Sequence, residues 1–291
     1  MKKGIILVLG LLWTLSISAQ NQKIQEKISM TIAAKDFKAA STFNIKNING
    51  DVKVIGYDGD EIQIGGSKTI KKKRGTLTQK EADTYELRKE LYEGVLYVYV
   101  YTPGARIEFK DGRMSYSTNR NDDDEYDETQ FDFYIEVRVP KKMILRASTI
   151  NGGLVEVENM HNGVFANNIN GGVSLKEVSG KTMANTVNGN IKVWFSKSPK
   201  VDTKFNTVNG DIEIYSPKDL STRVTFESLH GELYTDFEQV KRLPNRLDKE
   251  QDGSGSRYKI NSKSPIQIGQ GGPEMEFKLV NGNVYIRVKK S

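Results

Sequence analysis

Six carboxylates crowd one short stretch: Asp122, Asp123, Asp124, Glu125, Asp127 and Glu128. Clustered carboxylate oxygens are the ligands that Ca²⁺ takes, six to eight at a time. The run lacks the central glycine and spaced terminal glutamate of an EF-hand loop, and it matches no glycine–aspartate nonapeptide. A solvated hairpin tip is the simpler reading. Lys71, Lys72, Lys73 and Arg74 form a basic run that could meet an anionic glycan or lipid head group, or stay a solvated loop.

The two histidines, His161 and His230, stand in no metal-ligand spacing. The chain has no cysteine, no Gly-x-Ser-x-Gly and no phosphate-binding glycine loop after a strand. "IGQGGPEM" is glycine-rich but opens no helix. These absences argue against an enzyme and imply no cofactor and no metal.

A second set of residues gains meaning only through spacing. An apolar residue followed by Asn-Gly, once His-Gly, recurs seven times, starting at Ile48, Ile150, Ile169, Val187, Val208, Leu229 and Val280. The middle copies are 18 to 21 residues apart, and self-similarity near that period marks a repeat architecture. After the glycine come words such as Val52-Lys53-Val54, Ile191-Lys192-Val193 and Ile212-Glu213-Ile214. Their in-out-in alternation is that of strands.

Counting four residues on from each Asn or His gives one outward column: Lys53, Val155, Ser174, Lys192, Glu213, Tyr234 and Tyr285. The column holds no carboxylate dyad of the kind a glycan-cleaving β-helix needs. Its exposed tyrosines and lysines, Tyr234, Tyr285, Lys53 and Lys192, are the candidate ligand-binding residues. Tyrosine is equally at home as ordinary strand surface.

Asn-Gly flanked by alternating apolar residues is also a hairpin signal, because both residues tolerate positive φ. A meander with Asn-Gly tips therefore competes with a solenoid having Asn-Gly corners. A second break of different chemistry lies between successive copies: Asn162-Gly163, Gly180, Ser198-Pro199 and Ser216-Pro217. Strand, break, strand, Asn-Gly is the order of one coil. The expected fold is an all-β, right-handed parallel β-solenoid of about 20-residue coils, with asparagines stacked as a ladder. The copy at 150 carries an extra apolar residue, Leu154, which suggests a bulge.

Around the repeats, Thr78 and Glu81 form a capping box and Gly94 a stop, so 76–94 reads as a helical insertion. Residues 110–130 read as an acidic loop, and 239–257, without repeat pattern, as a flexible insertion. Lys2 and Lys3 before an apolar run ending near Ala19 read as a signal peptide over 1–19. A single domain then fills 20–291. Removal of residues 1–19 lowers the net charge from +6 to +4, a mild excess that does not argue for nucleic acid. No other apolar run reaches membrane length.

"NINGDVKV", "NTVNGNIKV", "NTVNGDIEI" and a strand ending "RVPKK" resemble the bacterial putative-adhesin families of β-strand repeats, of the head-domain type and of unknown function. The resemblance spans roughly 40–291. It implies an exported envelope protein, in the periplasm, on the outer-membrane surface or secreted, acting as a non-catalytic adhesin or binding module for a glycan or protein. The alternatives are an envelope scaffold or signalling module with a protein partner and, further off, a polysaccharide-degrading enzyme. The resemblance supplies no catalytic residues.

Overall fold

The computed structural model describes residues 22–38, 40–110, 113–118, 129–244, 247–252, 255–260 and 265–290. The expected signal peptide and the acidic run at 122–128 lie outside them. Along the chain run β1 (Lys23–Ile32), β2 (Thr42–Lys46), β3 (Val52–Tyr57), β4 (Ile62–Lys72) and a short helix α1 (Gln79–Asp83). Then come β5 (Glu86–Tyr92), β6 (Val95–Tyr101), β7 (Ala105–Lys110), β8 (Arg113–Thr118) and β9 (Thr129–Pro140). The repeats follow as β10 (Ile144–Ser148), β11 (Val155–Glu158), β12 (Gly163–Asn167), β13 (Val173–Val178), β14 (Lys181–Asn185), β15 (Ile191–Phe195), β16 (Thr203–Asn209) and β17 (Ile212–Ser216). The remainder holds β18 (Thr222–His230), β19 (Leu233–Thr235), β20 (Val240–Arg242), β21 (Leu247–Asp252), β22 (Gly255–Ile260), β23 (Ile266–Ile268), β24 (Glu274–Asn281) and β25 (Val284–Val288).

Two long, mostly parallel sheets face each other in a solenoid-like stack. The first has the order β1-β4-β9-β3-β11-β13-β15-β17-β25-β19, the second β20-β23-β18-β24-β16-β14-β12-β10-β2-β6-β5. Each coil gives one strand to each sheet, and the Asn-Gly corner joins them. The corners lie in register: Asn49, Asn151, Asn170, Asn188 and Asn209 bridge one another in parallel, and β24 adds Asn281 and β18 His230. A meander is thereby excluded.

The core is one residue-pair deep on each side. Val155 and Val157, Val173 and Leu175, Ile191 and Val193, and Ile212 and Ile214 line it from the first sheet, all buried. Phe43, Leu145, Val164, Ala184, Phe205 and Phe277 line it from the second. Where alanine gives way to phenylalanine the rings pack on one another, Phe205 and Phe277 at 5.6 Å and Phe195 and Phe205 at 6.5 Å between centroids.

Coil order in space differs from coil order in sequence at both ends. Asn49 and Asn151 are 102 positions apart in sequence, yet their corners touch directly. Of the strands in between, β6 and β9 build an outer coil beyond β2 and β3. At the other end β24 and β25 slip between the β16–β17 coil and the β18–β19 coil. Antiparallel strands β1, β4, β5, β20 and β23 lie at the sheet ends and pair edges that would otherwise invite other chains.

The reading of 76–94 as a helical insertion needs correction. The capping box forms as expected, with Thr78 Oγ1 accepting from Glu81 N at 3.2 Å and Glu81 Oε2 accepting from Thr78 N at 2.8 Å. The helix nevertheless stops at Asp83, and β5 pairs antiparallel with β6 around a two-residue turn, Glu93 (φ +46°) and Gly94 (φ +73°). Positive φ at both turn residues is the hairpin geometry, and the apolar strand β6 supplies a ladder that outweighs local helix propensity. Among the described residues of the stretch 239–257 and just after it, β20 pairs antiparallel with β23, and β21 with β22.

Candidate functional site

The corners explain why the repeated word reads Asn-Thr-Val-Asn-Gly. The second asparagine forms a side-chain ladder: Asn151 donates to Asn49 Oδ1 at 3.0 Å, Asn188 to Asn170 at 3.0 Å, Asn209 to Asn188 at 2.9 Å and Asn281 to Asn209 at 2.8 Å. The threonine two positions before the glycine's asparagine is buried and spans coils. Thr149, Thr186 and Thr207 donate to the carbonyls of Gly50, Gly171 and Gly189 at 2.9, 2.8 and 3.1 Å. Asn168 does the same to Gly153 O at 3.1 Å. These buried hydroxyls and amides satisfy carbonyls that water cannot reach.

The neighbouring coil requires glycine at these corners, and at Gly210 (φ +148°) and Gly282 (φ +135°) the backbone conformation requires it as well. A Cβ on Gly171, Gly189, Gly210 or Gly282 would lie 2.0–2.2 Å from the carbonyl oxygen of the corner glycine in the adjacent coil. Gly152 differs, with φ +56° and open space around its Cβ. It is the extra residue of the copy at 150, and it moves the register by one.

That shift corrects the outward column. Val155 points inward and is buried, and Glu156 takes its place. The true column on the first sheet runs Glu136, Lys53, Glu156, Ser174, Lys192, Glu213, Tyr285, Tyr234. Of the four expected ligand-binding residues, Tyr234 and Tyr285 are neighbours and Lys192 lies two strands away. Lys53 is five strands from Tyr285, about 24 Å at the usual strand spacing. Lys192 is paired with Glu213 at 2.9 Å. Burial opposes the charge on Glu213, but the hydroxyl of Tyr215 and the ammonium of Lys192 outweigh it and hold the carboxyl below the usual range.

The neighbouring outward column, two residues on, carries residues that the sequence pattern did not single out: Lys176, Trp194, Tyr215 and Arg287. Trp194 and Tyr215 stack at 5.0 Å and 3°. Tyr285 and Tyr234 stack at 5.3 Å and 12°, with the Arg287 guanidinium 5.0 Å from the Tyr285 ring. Hydroxyls anchor the rings: Tyr215 donates to Glu213 at 2.6 Å and Tyr234 to Glu232 at 2.5 Å. Each carboxylate acceptor pushes its tyrosine hydroxyl up from the ordinary value.

Tyr215 covers one face of Trp194. On its other side, toward Lys176, lies a cleft of about 390 Å³ lined by Trp194, Lys176, Glu158, Asn159 and Glu177. The cleft forms where β13 slips its register between Lys176 and Val178, with Glu177 at φ +51°. Lys176 donates to Glu156 at 2.6 Å, and that carboxylate holds its ammonium above the usual range. Glu177 accepts from Lys289, which follows β25. The only sequence signal for this cleft is one residue too many between Val173 and Gly180.

The exposed edge of the corners is apolar: Ile150, Ile169, Val187, Val208 and Val280 are all more than a third exposed, and Leu229 is 73 % exposed. Among the described residues no group of three or more His, Cys, Asp and Glu side chains could hold a metal ion. None of the described helices is long and apolar enough to cross a membrane.

Register-matched corners, two facing parallel sheets and polar-aromatic outer faces define an all-β coil-repeat protein. The chain belongs to the Toastrack DUF4097 family, whose profile matches residues 10–265. This agrees with the adhesin-like resemblance of the repeats. Among solved structures, a putative cell adhesion protein from Clostridium sporogenes is similar at 11 % identity, covering 91 % of this chain and 100 % of its own, with a TM-score of 0.42. A putative adhesin from Bacteroides fragilis is similar at 9 % identity, 91 % and 96 % coverage and a TM-score of 0.31. A putative lipid binding protein from Parabacteroides distasonis is similar at 13 % identity, 91 % and 97 % coverage and a TM-score of 0.27. None of the curated proteins matches the chain.

Proposed function

We propose that this protein is an exported, non-catalytic binding module of the cell envelope, and that its ligand is an extended glycan lying along the outer face of the first sheet. The observation that carries the reading is the cleft beside Trp194. An indole face next to carboxylates, an ammonium and an amide offers a sugar both stacking and hydrogen bonds. The Tyr285–Tyr234 pair extends the aromatic surface along the stack, as repeated weak contacts on an extended ligand require. Lys53 lies outside this surface; Lys192, tied to Glu213, braces it.

The coil is right-handed in this reading, as parallel crossovers overwhelmingly are. Its repeat of about 20 residues is supported by ladder partners 18 to 21 residues apart.

A glycan array with the protein lacking residues 1–19 tests the proposal. Trp194→Ala is expected to lower binding to any captured glycan at least tenfold, and Tyr234→Ala less, with unchanged melting temperatures. Glycan binding untouched by Trp194→Ala refutes the site, and release of reducing ends by the pure protein refutes the non-catalytic reading. A second reading, an envelope scaffold for a protein partner, is favoured by the exposed aliphatic edge at Ile150, Ile169, Val187, Val208 and Val280. A co-purifying envelope protein lost on Val187→Lys would support it.

A further inference from the structure

The outer face of the second sheet carries an unbalanced cluster of charge. Its rungs run Tyr97, Asn44, Arg146, Phe165 and, two residues on, Tyr99, Lys46, Ser148, Asn167. The hairpin β7–β8 lies against this end. Phe109 packs on Tyr97 and Tyr99 with centroids 5.2 and 6.2 Å apart, and Thr102 Oγ1 and Tyr116 OH share a hydrogen bond at 2.5 Å. Between hairpin and sheet lies a cleft of about 340 Å³.

Three cations, Lys46, Arg113 and Arg146, line that cleft, and none of the described residues that line it is acidic. Several cations elsewhere on the outer faces meet carboxylates. Lys204 reaches Glu276 at 3.0 Å, Lys278 reaches Glu276 at 3.1 Å, and Lys176 and Lys192 pair as described above. Lys46 instead donates to the carbonyl of Met114 at 3.0 Å, and the Arg146 guanidinium sits 5.6 Å from the Phe165 ring. Burial, then the nearby charge of Arg146, pushes the Lys46 ammonium down from its ordinary value. Like charges gathered in a half-closed cleft, without a counter-charge among the described residues, destabilise one another until an anion joins them. The neutral groups present, Asn44, Ser148 and Asn167, add hydrogen-bonding capacity beside the charges.

We propose that this cleft binds a tetrahedral oxyanion ester, a phosphate monoester (a dianion) or a sulfate monoester (a monoanion), gripped by Arg146 and Arg113 with Lys46 beneath. Guanidinium groups match tetrahedral oxyanions through paired N–H donors, and a compact ammonium adds point charge. The site is separate from the Trp194 cleft, which lies on the other sheet.

Titration calorimetry with glucose 6-phosphate, glucose 6-sulfate and glucose tests it. The two esters are expected to bind and glucose not, with affinity falling as salt rises. Arg146→Gln, whose side chain is exposed, should keep its melting temperature and lose about tenfold or more in ester affinity, the scale of one charge-assisted contact. Trp194→Ala should leave ester binding unchanged, so failure here and failure of the glycan reading are told apart. Flotation with phosphatidic-acid vesicles against phosphatidylcholine vesicles places the monoester on a lipid when only vesicles bind, and on a soluble ligand when only the sugar esters do. Either result, if lost with Arg146→Gln, upholds the site. No binding of any of these esters, or binding indifferent to both Arg146→Gln and Arg113→Gln, overturns it.

Discussion

Two alanine substitutions separate the reasons for glycine at the corners. Gly189 lacks a positive φ, but its Cβ would stand 2.2 Å from the carbonyl oxygen of Gly171 and 2.5 Å from its carbon. Gly152 has the opposite character, a left-handed φ of +56° and no atom within 4 Å of its Cβ. Replacing Gly152 by alanine costs the left-handed conformation, roughly 1–2 kcal/mol. The alanine also restricts the unfolded chain, which returns roughly 0.4–1 kcal/mol. The net is about 1 kcal/mol. Replacing Gly189 forces two backbones apart, and neither can swing away as a side chain would. Overpacking of that kind costs about 3 kcal/mol at the upper end of its ordinary range. For a body of this size each kcal/mol lowers Tm by about 2–4 °C. Gly152→Ala should therefore melt roughly 2–4 °C lower and Gly189→Ala roughly 6–12 °C lower. Far-ultraviolet circular dichroism on heating reads both. If Gly152→Ala proves the more damaging, turn conformation rather than contact between coils selects glycine, and the stacking argument fails.

Two further outcomes follow from the core and the capping box. Phe205 is fully buried between Phe195 and Phe277, so Phe205→Ala should cost about 3–5 kcal/mol in a urea unfolding titration, whereas a loss under about 1 kcal/mol would mean that the thin core collapses around the gap. Glu81 is held at a pKa of about 2 by Lys72 first and then by the Thr78 N–H and hydroxyl, against an ordinary value of 4.5. A depressed folded-state pKa gives stability that is present above the unfolded value and fades as pH falls from about 4.5 toward 2. Carboxyl NMR should place the Glu81 midpoint near the bottom of that window and move it upward in Lys72→Ala, and an unshifted midpoint would show that the cap does not hold the carboxylate.

The repetition itself was legible because its cause is local and recurs. Every coil must turn at the same place against an identical neighbour, so Asn for the ladder, Thr or Asn for the buried carbonyl, and Gly for close approach reappear at a fixed period. Alternation after each corner states which face is inward, and a stack of coils follows from the second break between corners. The outward column could be counted off with one error, Val155, because the added residue Gly152 shifts a period-two pattern to the opposite face.

Some features depended on contacts between distant segments. The strand at Glu86–Tyr92 exists because β6 offers it a ladder, although its own residues read as helix. The order of coils is set by which exposed edges find a partner, so the final segment enters between two earlier coils and brings Tyr285 beside both Glu213 and Tyr234. The Trp194 cleft arises from a register slip against β15, and the cationic cleft from a hairpin laid over β2 and β10. Sequence alone determined the repeating corner and the two-faced strand, since those follow from backbone sterics and burial within one period. Only the tertiary structure decided which coils touch, which charges find partners and where the surface opens, because those are set by segments up to about a hundred residues apart meeting in space.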